Sequence, residues 1–122
     1  MTYQQTVEYL FNRFPLFQNI GAGAYKEGTE NIATFCKELD NPQNDYFTIH
    51  VAGTNGKGSV AHILASILQQ AGYRVGLFTS PHLTDFRERI KVDGVKISER
   101  YVVRFVEEHR EQMEQLGLSF FE

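Results

Sequence analysis

The fold of this chain is decided by one stretch of sequence, VAGTNGKGS at residues 51–59. An apolar run precedes it at residues 47–52, and residues 60–71 follow with apolar side chains at helical spacing. Its glycines allow backbone dihedrals that other residues avoid, so consecutive N–H groups can point at one anion. A glycine-rich loop between a strand and a helix is typical of phosphate binding.

The loop departs from the usual phosphate-loop pattern, G-x-x-x-x-G-K-[ST]. Only two residues separate Gly53 from Gly56, and Gly58 lies between Lys57 and Ser59. The physical requirements are still met, because Lys57 supplies a positive charge for the outer phosphates and Ser59 a hydroxyl for a phosphate or its Mg²⁺ ion. We therefore predict that the phosphates of ATP bind here. The residues of this phosphate loop are Gly53, Thr54, Asn55, Gly56, Lys57, Gly58 and Ser59.

The sequence on either side of the loop predicts an α/β fold. Three stretches have apolar residues at helical spacing, namely residues 3–14, 32–39 and 60–71, and Gly72 is placed to cap the C-terminus of the third. Two short stretches, residues 47–52 and 74–78, have the apolar composition of buried strands. A strand, a glycine loop, a helix and a second strand form a βαβ unit, which favours a parallel sheet flanked by helices.

The last third of the chain predicts a β-hairpin and a long helix. Polar and apolar residues alternate on both sides of Asp93-Gly94, which is a strong turn signal. Ser98 is placed to cap a helix that Gly117 ends. The sequence then stops after two adjacent phenylalanines, an apolar ending that indicates a piece of a longer protein.

Composition and charge exclude several classes of protein. At 122 residues and 42% hydrophobic content, the chain has the size and composition of one globular domain. A net charge of −3 argues against a general nucleic-acid binder, so phosphate recognition must be local. No apolar run reaches membrane-spanning length, and Cys36 has no second cysteine with which to pair. We therefore expect a cytoplasmic protein.

Two blocks of the sequence resemble a known family. GTNGKGS resembles the nucleotide loop of the Mur ligase superfamily of ATP-dependent amide ligases, and the longer HVAGTNGKGS is similar to its folylpolyglutamate synthase/dihydrofolate synthase branch. A second block, GLFTSPHL at residues 76–83 followed by Glu88-Arg89-Ile90, resembles that branch's SPHL and ERI motifs. Asn41-Pro42-Gln43 and Phe121-Glu122 fit the same template.

The resemblance implies a Mur ligase-like ATPase domain and a reaction. Such a ligase would join L-glutamate to dihydropteroate, to a folyl-polyglutamate, or to both, through an acyl phosphate. Lys57 would then steady the transferred phosphoryl group, and Ser80 would ligate Mg²⁺ together with Ser59. For Ser80, the alternative is an ordinary Ser-Pro turn residue.

The resemblance also implies where folate or dihydropteroate would bind. The implied residues are Lys26, Glu27, Gly28, Thr29, Pro81, His82, Ser119, Phe120, Phe121 and Glu122. The early segment departs from the family pattern, because Gly28-Thr29-Glu30-Asn31 stands where Gly-Leu followed by Glu-Arg is usual. Alternatives remain for the others: the phenylalanines could begin a core element, and His82 could be a structural hydrogen-bonding residue.

The 122 residues lack features that such a ligase needs, which predicts that they are the N-terminal portion of a larger ligase. A magnesium-binding ATPase requires an acidic residue at the end of a strand, and neither predicted strand ends with one. The resemblance implies that the remaining magnesium ligands and a C-terminal domain lie beyond residue 122, and that the parent is a monomer. We expect a helical lead-in over residues 1–45, a phosphate-loop part over residues 46–122, and no ligase activity from this chain alone.

Other functions stay open. A peptidoglycan-precursor ligase of the Mur type is disfavoured by the GKGS and SPHL endings. A small-molecule kinase or a complete nucleotide-binding module would need a magnesium-binding acid that is not found, and a non-catalytic interaction domain could keep the same fold. Alternating charges over residues 85–99 predict a solvated, mixed-charge surface rather than a nucleic-acid patch. The sequence does not distinguish dihydrofolate synthase from folylpolyglutamate synthase.

Overall fold

The computed structural model describes residues 1–14 and 28–122, and it confirms the α/β class. Two short 3₁₀ turns, Pro42–Asn44 and Phe86–Arg89, lie between the longer elements. The helices and strands are α1 (Tyr3–Arg13), α2 (Glu30–Glu38), α3 (Lys57–Gln70), β1 (Gly76–Phe78), β2 (Ile90–Val92), β3 (Val95–Lys96) and α4 (Glu99–Leu116).

The chain divides into two compact units. The helical unit comprises Met1–Phe47 and Val102–Glu122, and the phosphate-loop unit comprises Thr48–Tyr101. Most of α4 therefore belongs with the N-terminal helices. The predicted division at residue 45, which treats the early helices as a lead-in, stays a prediction.

A closed hydrophobic core holds the helical unit together. Helical spacing predicts that α1, α2 and α4 each present one apolar face, and the core residues on these helices confirm it. Thr2 begins α1 with a capping box, in which its hydroxyl accepts from the Gln5 N–H at 3.1 Å. The buried core residues are Phe14, Phe35, Val106, Met113 and Leu118.

The helix ends confirm the predicted caps. Gly72 ends α3 with a φ of 94°, its N–H bonds to the Gln69 carbonyl, and the Tyr73 N–H bonds to the Leu68 carbonyl. This pair of hydrogen bonds is a Schellman motif, which satisfies carbonyls that the helix leaves unpaired. The same pair recurs around Gly117 at the end of α4. At the start of α4, the Ser98 hydroxyl accepts from the Tyr101 N–H at 3.1 Å.

The sheet of the phosphate-loop unit is antiparallel. Its strand order is β1-β2-β3, with Phe78 opposite Ile90 and Val92 opposite Val95. The predicted hairpin is confirmed: Asp93 and Gly94 both have positive φ values, 50° and 80°, as a two-residue turn between twisted strands requires.

The strand predicted at residues 47–52 is wrong in this structure. These residues belong to no strand, and Phe47 is fully exposed. The described residues contain no parallel pair: β1 pairs along one edge with β2, and residues 47–52 do not pair with it. A strand requires a partner as well as an apolar composition, and the composition of a run does not identify that partner.

The apolar face predicted for α3 forms but is not buried. Val60, Ile63 and Ile67 are 53%, 61% and 59% exposed. Their spacing shows a helix with one apolar face, so the predicted periodicity is confirmed although no described residue covers the face.

Candidate nucleotide-binding site

The phosphate loop is built around two glycines with positive φ. Gly53 has a φ of 157° and Gly56 a φ of 77°, and Gly56 is the N-cap of α3 in a left-handed conformation. A side chain at Gly56 would be strained there, whereas Gly58 lies within the helix at an ordinary dihedral. All seven loop residues are exposed to solvent.

The first turn of α3 offers hydrogen-bond donors to the loop. The first helical bond runs from the Val60 N–H to the Gly56 carbonyl at 2.9 Å, so the N–H groups of Lys57, Gly58 and Ser59 precede the helical ladder. Gly56 provides no side-chain cap for them. Three such donors at the positive end of a fourteen-residue helix suit an anion.

Lys57 brings a full positive charge to the same place. Its Nζ donates to the Gly53 carbonyl at 2.6 Å and to the Thr54 carbonyl at 3.3 Å. These bonds fold the lysine side chain back along the loop. Its charge therefore lies beside the loop backbone, to which a phosphate would also bind. The role of Lys57 in binding the transferred phosphoryl group stays a prediction.

His62 was not predicted to contribute to this site. It lies one turn after Gly58 on α3, and its Nδ1 is 2.7 Å from the Gly58 carbonyl. His62 lies near the loop because residues four apart are neighbours on a helix. This spacing could have been read from the sequence.

The second predicted block forms a loop after β1, at residues 79–85. Ser80 and Pro81 are exposed within it. The Thr79 N–H donates to the Arg89 carbonyl at 2.9 Å, which closes the start of the loop against the residue before β2. Ser80 is thus placed two residues after the end of a strand.

His82 makes a hydrogen bond within the protein. Its Nδ1 accepts from the Arg89 Nε at 2.7 Å, and its ring packs edge-on to Phe86 at 6.1 Å between centroids. Burial lowers the pKa of Arg89, yet a guanidinium remains protonated at neutral pH. The neutral imidazole therefore carries its proton on Nε2. These contacts fit the structural alternative for His82; a role in binding folate stays a prediction.

Glu88 organises this loop, and sequence reasoning missed it. Its Oε1 accepts from the Leu83 N–H at 3.0 Å. Its Oε2 accepts from the Thr84 N–H at 3.0 Å, the Thr84 hydroxyl at 2.9 Å and the Asp85 N–H at 2.7 Å. The Leu83, Asp85 and Thr84 backbone bonds, with the Thr84 hydroxyl, lower the pKa of Glu88 to about 2. The signal was present: Glu88 follows Asp85 at capping-box spacing.

The charged residues around this loop are paired. Asp85 Oδ2 lies 2.9 Å from Arg87 and 3.4 Å from Lys96, and Arg87 also lies 3.7 Å from Glu99. The predicted mixed-charge surface is confirmed for these four residues. Arg89 is an exception, because it is buried to 9% exposure rather than solvated.

The C-terminal residues predicted to contact folate lie in the helical unit. The Ser119 N–H donates to Glu122 Oε2 at 2.7 Å, and the Glu122 N–H donates to Ser119 Oγ at 3.3 Å. This reciprocal pair has the bonds and the S-x-x-E spacing of a capping box without a helix, and sequence reasoning also missed it. Phe120 stacks on Phe11 at 4.9 Å between centroids, in keeping with a core role, whereas Phe121 is 58% exposed.

The early segment is described only in part. Gly28 and Thr29 are exposed, and Thr29 is the N-cap of α2. Lys26 and Glu27 lie outside the described residues, so the predictions for them stay as they were. The phosphate-loop residues, Ser80, Pro81 and His82 belong to the phosphate-loop unit, and the other described candidates belong to the helical unit.

Two hydroxyl groups fit the predicted magnesium ligands. Ser59 lies in the first turn of α3 and Ser80 in the loop after β1, and both are exposed. Among residues 1–14 and 28–122, no group of three or more histidine, cysteine or acidic side chains could hold a metal ion. Such a donor set fits Mg²⁺ that binds mainly through nucleotide phosphates and water.

The chain is similar in sequence to proteins of known family. No protein-family model matches the chain. It is 37% identical over its whole length to a probable bifunctional folylpolyglutamate synthase/dihydropteroate synthase of Haloferax volcanii, of which it covers 14%. It is 39% identical, over 95% of its length, to the folylpolyglutamate synthase of Lacticaseibacillus casei, of which it covers 26%.

Solved structures agree with the curated relatives. Folylpolyglutamate synthase from Thermotoga maritima superposes with a TM-score of 0.81 at 39% identity over 98% of this chain and 27% of its own. An FPGS–AMPPCP complex superposes with a TM-score of 0.82 at 35% identity, over 99% of this chain and 29% of its own. E. coli FolC in complex with DHPP and ADP superposes with a TM-score of 0.81 at 30% identity, over 99% of this chain and 28% of its own. The chain spans less than a third of each of these five proteins.

The fold and these likenesses define a Mur ligase-like α/β protein. Within that class, the chain belongs to the folylpolyglutamate synthase/dihydrofolate synthase family. In the part of the chain that the structure describes, no helix is long and apolar enough to cross a membrane.

Proposed function

We propose that this chain is the nucleotide-binding part of an ATP-dependent ligase that adds L-glutamate to dihydropteroate, to a folyl-polyglutamate, or to both. The observation that carries the proposal is the uncapped start of α3, where Lys57 lies beside three N–H donors on a glycine loop. Relatives crystallised with AMPPCP, with AMPPCP and folate, and with DHPP and ADP support the choice of ligands.

The proposed reaction needs ATP because a carboxylate does not condense with an amine in water. Its oxygen attacks the γ-phosphorus of ATP, the bond to ADP breaks, and an acyl phosphate forms. The glutamate amine then attacks the acyl carbon, phosphate leaves with the bonding electrons, and the amine loses a proton. The products are an amide, ADP and inorganic phosphate.

In that reaction the residues of this chain bind and position the nucleotide. The N–H groups of Lys57, Gly58 and Ser59 would hold phosphate oxygens, and the Lys57 ammonium would neutralise charge on the transferred phosphoryl group. Gly53 and Gly56 let the backbone approach closely enough for this contact. Thr54 and Asn55 complete the loop.

The hydroxyls of Ser59 and Ser80 would hold Mg²⁺, whose positive charge would reduce the negative charge on the phosphoryl group. Both hydroxyls are exposed and so accessible to such a complex.

We propose that Pro81 and His82 contribute to the binding of folate or dihydropteroate, and the roles implied for the residues of the helical unit stay predictions. The exposed aromatic ring of Phe121 suits a flat heterocycle, through stacking. Phe120 packs on Phe11, so its contribution would be to hold the segment in place.

We further propose that these 122 residues act as one part of a longer, monomeric, cytoplasmic enzyme and do not ligate alone. The fraction of each relative that they span supports the first point. Cys36 is a free, half-buried thiol, which fits a reducing compartment.

The test is the release of ADP by the full-length protein with each acceptor. Release should require the acceptor and L-glutamate together, and Lys57→Ala should abolish it while Lys37→Ala, an exposed lysine on α2, should not. Release of ADP without an acceptor, or equal activity in Lys57→Ala, would contradict the proposed function. The isolated 122 residues should show no release.

A further inference from the structure

The loop that carries Ser80 is held in place by two consecutive residues, Glu88 and Arg89. Arg89 bonds to the start of the loop through its carbonyl, which accepts from the Thr79 N–H at 2.9 Å, and to its middle through Nε, which donates to His82 at 2.7 Å. Glu88 bonds to its end through four hydrogen bonds that Leu83, Thr84 and Asp85 donate.

The Glu88 carboxylate is the strongest of these anchors. A carboxylate can accept up to about four hydrogen bonds, and here both oxygens are engaged by neighbouring donors. Bonds to an ionised acceptor are about twice as strong as neutral ones. Glu88 lies in the 3₁₀ turn Phe86–Arg89, which leads directly into β2. Its hydrogen bonds therefore attach the loop to the start of a sheet strand.

Ser80 and Pro81 lie between the anchored stretches. Thr79 is fixed on one side of them, and His82 through Asp85 on the other. The geometry therefore sets the position of an exposed serine through contacts that do not involve the serine.

We propose that Glu88 is a positioning residue: its carboxylate fixes residues 83–85 and thereby presents the Ser80 hydroxyl to the metal–nucleotide complex. This inference rests on the proposed function of Ser80 as a magnesium ligand. In this proposal Glu88 acts through residues 83–85 and not through the nucleotide, so its loss should change how the protein uses Mg²⁺ and leave nucleotide contacts at the phosphate loop intact.

The experiment compares two readouts in the full-length protein and its Glu88→Gln variant. Glutamine has the same shape, but its NH₂ faces N–H donors and cannot accept from them. Hydrogen exchange at the Leu83, Thr84 and Asp85 amides should quicken about tenfold or more, as expected when charge-assisted bonds are lost. ATP affinity with Mg²⁺ should fall about fivefold or more relative to affinity measured in EDTA, and the EDTA value should not change.

Matched variants separate positioning from folding. Glu99→Gln removes an exposed carboxylate of the same unit and should change neither readout. If Glu88→Gln does not fold, Thr84→Val removes only the hydroxyl bond and should give the same pattern at about two- to threefold, whereas Thr84→Ser should restore the wild-type values.

Each other outcome overturns the inference. Faster amide exchange with an unchanged effect of Mg²⁺ would show that Glu88 has a purely structural role. Unchanged exchange would show that Glu88 does not anchor residues 83–85. Failure of the wild-type protein to bind ATP in either buffer would overturn the proposed function and this inference with it, a result recognisable because the wild type fails too.

Discussion

The two units bury their apolar side chains to very different extents. In the helical unit Phe35 and Val106 are only 5% and 3% exposed, whereas in the phosphate-loop unit Ile63 and Phe78 are 61% and 69% exposed. The helical unit is thus stabilised by a closed core, to which α1, α2 and α4 all contribute. The phosphate-loop unit keeps its loops in place mainly with polar contacts between residues close in sequence.

Those polar contacts fix backbone positions at the candidate site. Glu88 holds the loop after β1, and the Lys57 ammonium holds the phosphate loop. At the opposite turn, Asp93 Oδ1 accepts from the Val75 N–H at 2.8 Å, and the Asp93 N–H donates to the Val75 carbonyl at 2.9 Å. The contrast indicates that stability and site geometry can be perturbed separately in this molecule.

The largest expected effect is on the core of the helical unit. Phe35→Ala should lower the free energy of unfolding by about 3–5 kcal/mol, because it leaves a cavity among buried side chains. Phe78→Ala, which truncates an exposed phenylalanine on β1, should change it by no more than about 0.5 kcal/mol. Urea unfolding of both variants measures the difference. Equal losses would show that the two units are stabilised alike.

The second effect is on the site and should spare the core. Lys57→Ala should reduce the ligation rate of the full-length protein about 100-fold or more, because a charge that stabilises the transferred phosphoryl group is lost. Its unfolding midpoint should stay near the wild-type value, since Lys57 is exposed. Initial rates of ADP release and a thermal melt report the two quantities. A rate within a few-fold of wild type would exclude the role proposed for Lys57.

A smaller effect is expected from the left-handed glycine of the phosphate loop. Gly56→Ala should lower stability by about 1–2 kcal/mol, because φ is 77° and a Cβ is strained there. Gly58→Ala is the matched control: its Cβ would meet no atom within 4 Å, and alanine in a helix is favoured over glycine. Chemical denaturation of both would distinguish them, and a Gly58 variant less stable than the Gly56 variant would contradict the described loop conformation.

The smallest effect is a pH dependence at Glu88. Its pKa falls from 4.5 to about 2 on folding, so its contribution to stability is fully present above pH 4.5 and is lost as the pH falls through about 2. The stability difference between wild type and Glu88→Gln should therefore be constant from pH 7 to 5 and shrink towards pH 2. Unfolding curves at a series of pH values measure it. A difference that vanished already at pH 5 would mean that the carboxylate is not held as described.

Local features of the fold were predictable from the sequence. The helices, the glycine caps at Gly72 and Gly117 and the hairpin at Asp93-Gly94 depend on residues a few positions apart, and the sequence shows those spacings directly. The phosphate loop was predictable for the same reason, since its glycines and Lys57 are consecutive with the helix they precede.

Features that depend on a partner elsewhere were not predictable. An apolar run at residues 47–52 predicted a strand, but a strand also needs a partner, and among the described residues this run pairs with none. Arg89 was grouped with solvated charges, yet it is buried where it reaches His82. For Glu88, the capping-box spacing from Asp85 was readable in the sequence, but the further bonds from Leu83 and Thr84 depend on the conformation of the loop.

The central claim is that the start of α3 holds the phosphates of ATP, and amide chemical shifts test it most directly. When the full-length protein is titrated with Mg-ATP, the N–H resonances of Lys57, Gly58 and Ser59 should shift saturably, and in Lys57→Ala the titration should weaken at least about tenfold. If these amides stay unshifted at a nucleotide concentration that supports glutamate ligation, the phosphates bind elsewhere and the account is contradicted.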